Sequence, residues 1–403
     1  MRVLLSTIGS RGDVQPMVAL ASHLQSLGQE VHLCVPPDFR EWIEGLGMSV
    51  TPIGPTLRPT GKSNPMATRI TPEQRRQMIE GTVAAQFATV GEAARGCDVI
   101  VGATALQIAA PSIAETLGVP YVFAAFSPNV LPSPHHAPPV LAALGDVPAI
   151  AAPDHREPWA KDAQRWNDMW APILAPRRAA LGLSPVVNVR DHVHTGHPWL
   201  AADPTLAPWP EPDDEDVFQT GAWILPDERP LSDELQAFLD AGDAPIYFGF
   251  GSIGAPPDLA RVMIESALAV GKRAIVSRGW ADLALVDDAP DCLAIGDVNH
   301  QTLFTRVCAV VHHGGAGTTT AAARAGAPQV VIPQHYDQHY FAGRVQHLGI
   351  GTRHEGRAPT TESLTAALVR ALDPTVASRA AIVASTIRAD GAHRAAEAIL
   401  SLV

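Results

Sequence analysis

Charge is scarce in this chain. Charged residues make up 17% of its 403, and 41 acids against 29 bases leave a formal net charge of −12 at pH 7. That balance excludes a general grip on nucleic-acid phosphates. Cysteine is equally sparse. Cys34, Cys97, Cys292 and Cys308 stand alone, with no CxxC pair and no metal spacing, which fits a reduced cytoplasm. No apolar stretch reaches the roughly 18–20 residues of a membrane span. The opening MRVLLSTIGS is too short in apolar residues for a secretory leader and reads as a first strand. A P-loop and a GxSxG elbow are both missing. What is present is 46% apolar residue, 36 prolines and 32 glycines, at a length that suits two or three domains. The expectation is a soluble cytoplasmic protein of two domains.

Strand and helix signals alternate along the first 130 residues. Arg2–Thr7 is a short apolar run closed by Gly9, hence a buried strand. From Pro16 to Leu27, Met17, Leu20, Ala21, Leu24 and Leu27 share one helical face, which Gly28 ends. Val31–Val35 is the next strand. Thr71, Pro72 and Gln74 spell a capping box with proline at the first helical position, opening a helix towards Arg95. Cys97–Val101 and Pro120–Phe126 are further buried strands. Strands divided by helices predict an α/β fold with parallel sheets covered on both faces. Between Ser127 and Trp159 the pattern breaks into a loop with eight prolines. A helix-compatible stretch carrying Trp159, Trp166 and Trp170 runs on to Leu181.

Residues 203–216 are rich in proline and acid and are expected to be a linker between a first domain, 1–202, and a second, 217–380. In the second, strands are predicted at Pro245–Phe250, Arg273–Ser277, Cys292–Ile295, Ala309–His312 and Gln329–Ile332. Helices are predicted at Pro257–Val270, Thr318–Ala325, Asp337–Leu348 and Thr361–Leu372. Two similar α/β halves thus face each other, and ligands of such sheets sit beyond the carboxyl ends of the strands. The cleft should be built by Gly9–Asp13 from one side and by Gly249–Gly254, Arg278–Trp280, Val298 and His312–Thr318 from the other.

The strongest motif is His312-His313-Gly314-Gly315-Ala316-Gly317-Thr318, between a strand and a helix. Three glycines let a ligand approach the backbone, and the free N–H groups of the helix start favour an anion such as phosphate. A glycine-rich turn beside a core histidine is the plainer alternative. Gly249-Phe250-Gly251-Ser252-Ile253-Gly254 matches the dinucleotide fingerprint GxGxxG, but the following strand ends in Ser277-Arg278-Gly279-Trp280 without the acid that holds a ribose. It reads better as a diphosphate cradle with Ser252 as donor. Asp13 falls at a helix start, where a carboxylate is either a simple cap or a general base facing the cleft. Asp337 and Gln338 also open a helix, and an acid beside an amide suits vicinal sugar hydroxyls.

Other features carry less. Asp214-Glu215-Asp216 spells DxD inside the acidic linker and reads as a solvated charge run, so no metal site is expected. His192 and His194 fit a strand surface. Five bases between Arg58 and Arg76 (Arg58, Lys62, Arg69, Arg75, Arg76) could meet an anionic acceptor or a membrane, though a solvated helix face explains them as well.

Taken together, GSRGDVQPMVAL, QTGAWILPDERPLS, FGFGSIGAPPD, SRGWADL, GDVNHQTLF, HHGGAGTTTAAARAGAPQ and DQHYFAGRV resemble family 1 glycosyltransferases of the GT-B fold. The likeness is greatest to those that glycosylate glycopeptide (vancomycin-group) antibiotics. The resemblance implies two Rossmann-like domains, with a C-terminal helix at 381–403 crossing back to the first. It implies inverting, metal-independent transfer of a hexose from a UDP- or dTDP-sugar to an aglycone hydroxyl, with no cofactor and a monomeric enzyme. Asp13 falls at the position of the general base. Ser252, His313, Gly315, Gly317 and Thr318 fall where the donor's diphosphate is held, with Ser10, Arg11 and Gly12 close by. Val298 matches the residue whose backbone meets the nucleobase, with Arg278 and Trp280 near it. Asp337 and Gln338 match the pair that reads the sugar hydroxyls. Segments 54–80 and 127–170 are where such enzymes contact their acceptor. The same GSRGDVQP opening resembles sterol glucosyltransferases, which makes a sterol or lipid acceptor the first alternative. A nucleotide-sugar epimerase, which needs no second-substrate pocket, and a silent binding module are the others.

Overall fold

The computed structural model describes residues 1–58, 71–104, 106–139, 154–211, 216–251, 258–280 and 290–403. Its strands form two sheets in which every named pairing is parallel. The first contains β1 (Arg2–Thr7), β2 (Glu30–Val35), β3 (Ser49–Pro52), β4 (Val99–Ala103), β5 (Tyr121–Ala125), β6 (Trp199–Leu200) and β7 (Phe218–Gln219) in the order β3-β2-β1-β4-β5-β6-β7. The second contains β8 (Ile246–Gly249), β9 (Ala274–Ser277), β10 (Cys292–Ile295), β11 (Ala309–His312), β12 (Gln329–Val331) and β13 (Gly351–Arg353) in the order β10-β9-β8-β11-β12-β13. Both are Rossmann-like. Each reverses strand order beside its first strand, at β1/β4 and β8/β11, which opens a crevice at the carboxyl ends there. The central strands are uninterrupted apolar runs because helices cover both faces. Val3, Leu4 and Leu5 of β1, and Val310 and Val311 of β11, have no exposure at all.

The first helix, Arg11–Ser26, starts five residues before the predicted Pro16, which sits inside it. Ser10 and Asp13 form a capping box that nucleates this earlier start, since the Ser10 amide donates to Asp13 Oδ2 at 2.7 Å. The capping box at Thr71 forms as expected, with Gln74 N donating to Thr71 Oγ1 at 3.2 Å, and opens the helix Pro72–Ala93. His192 and His194 lie on the short helix Val189–His194, which corrects the strand surface expected for them. His194 is buried and stacks on Phe123 at 4.5 Å.

The described start of the expected linker is packed against the first domain. Asp203, Leu206, Ala207 and Trp209 are all buried. Beyond it, β7 still pairs with β6, so the first sheet closes at Gln219 and the chain crosses to the second domain after that point. Proline and acid mark a turn-rich segment but cannot tell a free linker from one pinned by a buried aromatic and aliphatic side chains. The last helix, Gly391–Leu400, returns to the first domain, where Ala392, Ala395, Ala396 and Ile399 join one core with Val3, Leu5, Val14 and Met17. Two bonds staple this return: Arg388 N to Asp203 Oδ2 at 2.8 Å, and Arg394 Nη1 to the Thr220 carbonyl at 3.0 Å. At the crossing, Gly391 lies against the Gly221 backbone so closely that any side chain there would collide with it.

Candidate active site in the cleft

On the first domain, β1 delivers the chain to Gly9 and the opening turn of the first helix. Asp13 is held by Ser10, whose amide bonds Oδ2 at 2.7 Å and whose hydroxyl lies 3.3 Å from it. The carboxylate lies so close to the Gly9 α-carbon that a side chain at Gly9 would run into it. Capping therefore uses one carboxylate oxygen. Oδ1 makes no hydrogen bond among the described residues and remains open to a ligand. Burial pushes the Asp13 pKa up to about 6, against the lowering effect of the Ser10 bonds.

The second domain meets it with the carboxyl end of β12. Tyr336 adopts φ +57°, an uncommon conformation for a bulky residue, and Asp337 follows at the cap of the helix Gln338–His347. Asp337 is pushed up to about 7, first by burial and then by the negative charge of Asp13. Asp337, Asp13 and Asp162 also raise the Tyr336 phenol further, beyond what its burial does. Two carboxyls from opposite domains thus face one space, and no basic side chain pairs with either among the described residues. Gln338 serves partly as scaffold, because its amide oxygen accepts from Gln334 N at 2.8 Å and His335 N at 3.2 Å.

The two histidines after β11 have separate roles. His312 is fully buried, accepting from Gly314 N at 3.0 Å and bonding Gln329 Oε1 at 2.9 Å through Nε2. It is the core histidine of the plainer reading. His313 is different: its Nδ1 is buried without a partner, and burial lowers its pKa to about 4, so the ring is neutral at pH 7. Next to it, the helix Ala316–Arg324 begins at Gly315 with no side-chain cap, which leaves its first N–H groups available, with Gly317 exposed and Thr318 half-buried. A side chain on Gly315 would come within 2.6 Å of His313 Nε2.

A groove of about 610 Å³ in the second domain is lined by Arg229, Leu231, Arg278, Asp297, Val298 and Asn299 among others. Arg229 bonds Asp227 at 2.7 Å and Asp297 at 2.9 Å. Arg278 and Val298 border this same groove. Trp280 does not line this groove. It stacks on Phe39 of the first domain at 6.3 Å, while Arg11 lies 3.9 Å above the Trp42 ring. Ser252 and the rest of the 252–257 loop lie outside the described residues, as do 59–70 and 140–153 of the two expected acceptor segments and Asp214 and Glu215 of the DxD. Within 127–170 the described part borders a hollow of about 500 Å³ over Ser133, Trp159, Ala163, Asn167 and Arg190. Among the described residues, no three His, Cys, Asp or Glu side chains are grouped to hold a metal ion, and no helix is long and apolar enough to cross a membrane.

Sequence reasoning missed Tyr336, Asp162, Phe39 and Trp42. None sits in a glycine motif, and a buried acid or a left-handed tyrosine has no local signature.

Comparison with known proteins bears on the family and the fold. Residues 3–133 match the glycosyltransferase family 28 N-terminal domain, and residues 261–398 match the erythromycin biosynthesis protein CIII-like C-terminal domain. Glycosyltransferase GtfE of Amycolatopsis orientalis is 50% identical over 407 residues, covering 100% of this chain and 98% of its own. The vancomycin aglycone glucosyltransferase of the same organism is 50% identical over 406 residues with the same coverage. The crystal structure of the kitacinnamycin glycosyltransferase superposes with a TM-score of 0.72 at 20% identity, covering 100% of this chain and 99% of that one. The chain belongs to the GT-B glycosyltransferases, in the vancomycin group of antibiotic-biosynthesis enzymes, and is a hexosyltransferase.

Proposed function

We propose that this enzyme inverts the anomeric carbon of a UDP- or dTDP-linked hexose in one displacement, without a metal, and that its acceptor is a glycopeptide-antibiotic aglycone. Asp13 Oδ1 takes the proton of the acceptor hydroxyl as the new C–O bond forms and the nucleotide diphosphate departs. The departing diphosphate gains negative charge. His313, neutral at working pH, offers a ring nitrogen to it, and the N–H groups of Gly315, Gly317 and Thr318 supply fixed dipoles. Asp337 and the Gln338 amide hold the sugar hydroxyls, while Arg278 and the Val298 backbone border the nucleobase. Ser10, Arg11 and Gly12 close the phosphate end from the first domain, with Trp280 at the seam.

The observation that supports this reading best is the asymmetry of Asp13: one oxygen is tied to Ser10, the other faces the cleft, and burial gives the group basicity suited to neutral pH. The acceptor assignment rests on the likeness to the vancomycin aglycone glucosyltransferase. Incubating the enzyme with vancomycin aglycone and either UDP-glucose or dTDP-glucose should give a product heavier by one hexose and of inverted anomeric configuration. Asp13→Asn should lose that product, and EDTA should leave its rate unchanged. Retained configuration, or strong inactivation by EDTA, would refute the mechanism.

A further inference from the structure

A chain of ring contacts crosses the cleft from Arg11 to Trp280. The Arg11 guanidinium lies 3.9 Å over Trp42, and its Nε donates to Gln15 Oε1 at 2.9 Å. Trp42 meets Phe39 edge-on at 6.5 Å, and Phe39 stacks on Trp280 of the second domain at 6.3 Å and 28°. Phe39 and Trp42 come from a short turn and helix, Pro37–Phe39 and Arg40–Gly45, directly after β2. The charges that bear on Arg11 are those of Asp297, Arg229 and Asp227, and Arg229 and Asp297 line the groove of the second domain. Arg11 therefore overlooks that groove from across the cleft. Its side chain has several rotatable bonds to fix, and a stack plus one hydrogen bond fixes them before any ligand arrives.

We propose that Trp42 is a positioning residue for the donor. Its ring presents the Arg11 guanidinium to the nucleotide of the donor across that groove, and Phe39 ties that presentation to Trp280 and hence to the second domain. This rests on the reading of Arg11 as a donor contact. The planar guanidinium is essential to the arrangement, because a lysine ammonium cannot stack in the same way.

Calorimetric binding of UDP, and of dTDP in parallel, to the full chain tests this without an acceptor. Trp42→Leu should weaken nucleotide binding by about 5- to 30-fold while the thermal midpoint stays near that of the parent. Arg11→Ala should weaken it at least as much. In the Arg11→Ala background, Trp42→Leu should add nothing, because its effect passes through the guanidinium. A purely structural tryptophan would give additive losses in the double variant, and that result overturns the proposal. Full affinity in Trp42→Leu overturns it as well. Full affinity in Arg11→Ala would instead remove Arg11 from the donor site, taking the proposal with it but leaving Asp13 and His313 in place. Trp42→Phe, which keeps a ring beneath the guanidinium, should recover most of the affinity.

Discussion

The pH dependence of transfer follows directly from the burial of Asp13. A general base works only when ionised, and this carboxyl is pushed up to about 6. At pH 8 it is almost fully ionised. At pH 5.5 only about a quarter of the molecules carry the charge, and at pH 5 about a tenth, whereas an ordinary aspartate would remain over 90% ionised at both. The value of kcat/KM should therefore fall about fourfold from pH 8 to 5.5 and tenfold per unit below that. The assay is initial-rate release of nucleotide diphosphate across pH 5–9. A control is built in by the fold. His194 and His312 are held near 3 by burial, so in the unfolded chain they take up protons that the folded chain refuses, and their contribution to stability declines as pH drops below about 6.5. Each acid point must accordingly recover full rate on return to pH 8. Reversible activity at pH 5.5 above about 80% of the pH 8 value would refute Asp13 as the base, or refute its burial as the cause of its basicity.

Removing the imbalance around the two facing carboxyls gives a second outcome. Asp337 is raised to about 7, so its charged form is disfavoured in the folded state at high pH. Asp337→Asn should raise the thermal midpoint at pH 8, and the gain should fade as pH falls from 7 towards 4, where the native residue is protonated anyway; turnover should drop at both ends. The acid limb of the rate profile should stay where it is in the parent, because Asp337 is already protonated where Asp13 titrates. His313→Ala should lower kcat by about 10²–10³ without changing the far-ultraviolet circular dichroism, since His313 follows β11 and lies in neither a helix nor a strand.

Much of this could be read from residue patterns, for physical reasons that differ by element. Strands β10 and β11 match their predicted ranges because each is a short apolar run flanked by turn residues. Strands β6, β7 and β13 have two or three residues each, too few to show a period, so they were missed. The buried side chains within 203–211 have the same root: composition reports turn propensity but not what a turn packs against. Glycine-rich approaches to the site stand out because close contact leaves a residue-type signature, as at Gly9 and Gly315. Groups that act through tertiary neighbours leave none. Nothing local to Trp42 indicates that Arg11, 31 positions earlier, lies on its ring, and Tyr336 at φ +57° follows no residue preference.

The return of the final helix has a consequence for how the molecule is made. Ala392, Ala395, Ala396 and Ile399 complete an interior that begins with Val3 and Leu5. The amino-terminal lobe is therefore the first to leave the ribosome and the last to be finished. Until the helix Gly391–Leu400 is made, an apolar strip on the lobe's opening helix has no cover, and a chain lacking that helix would expose the strip permanently.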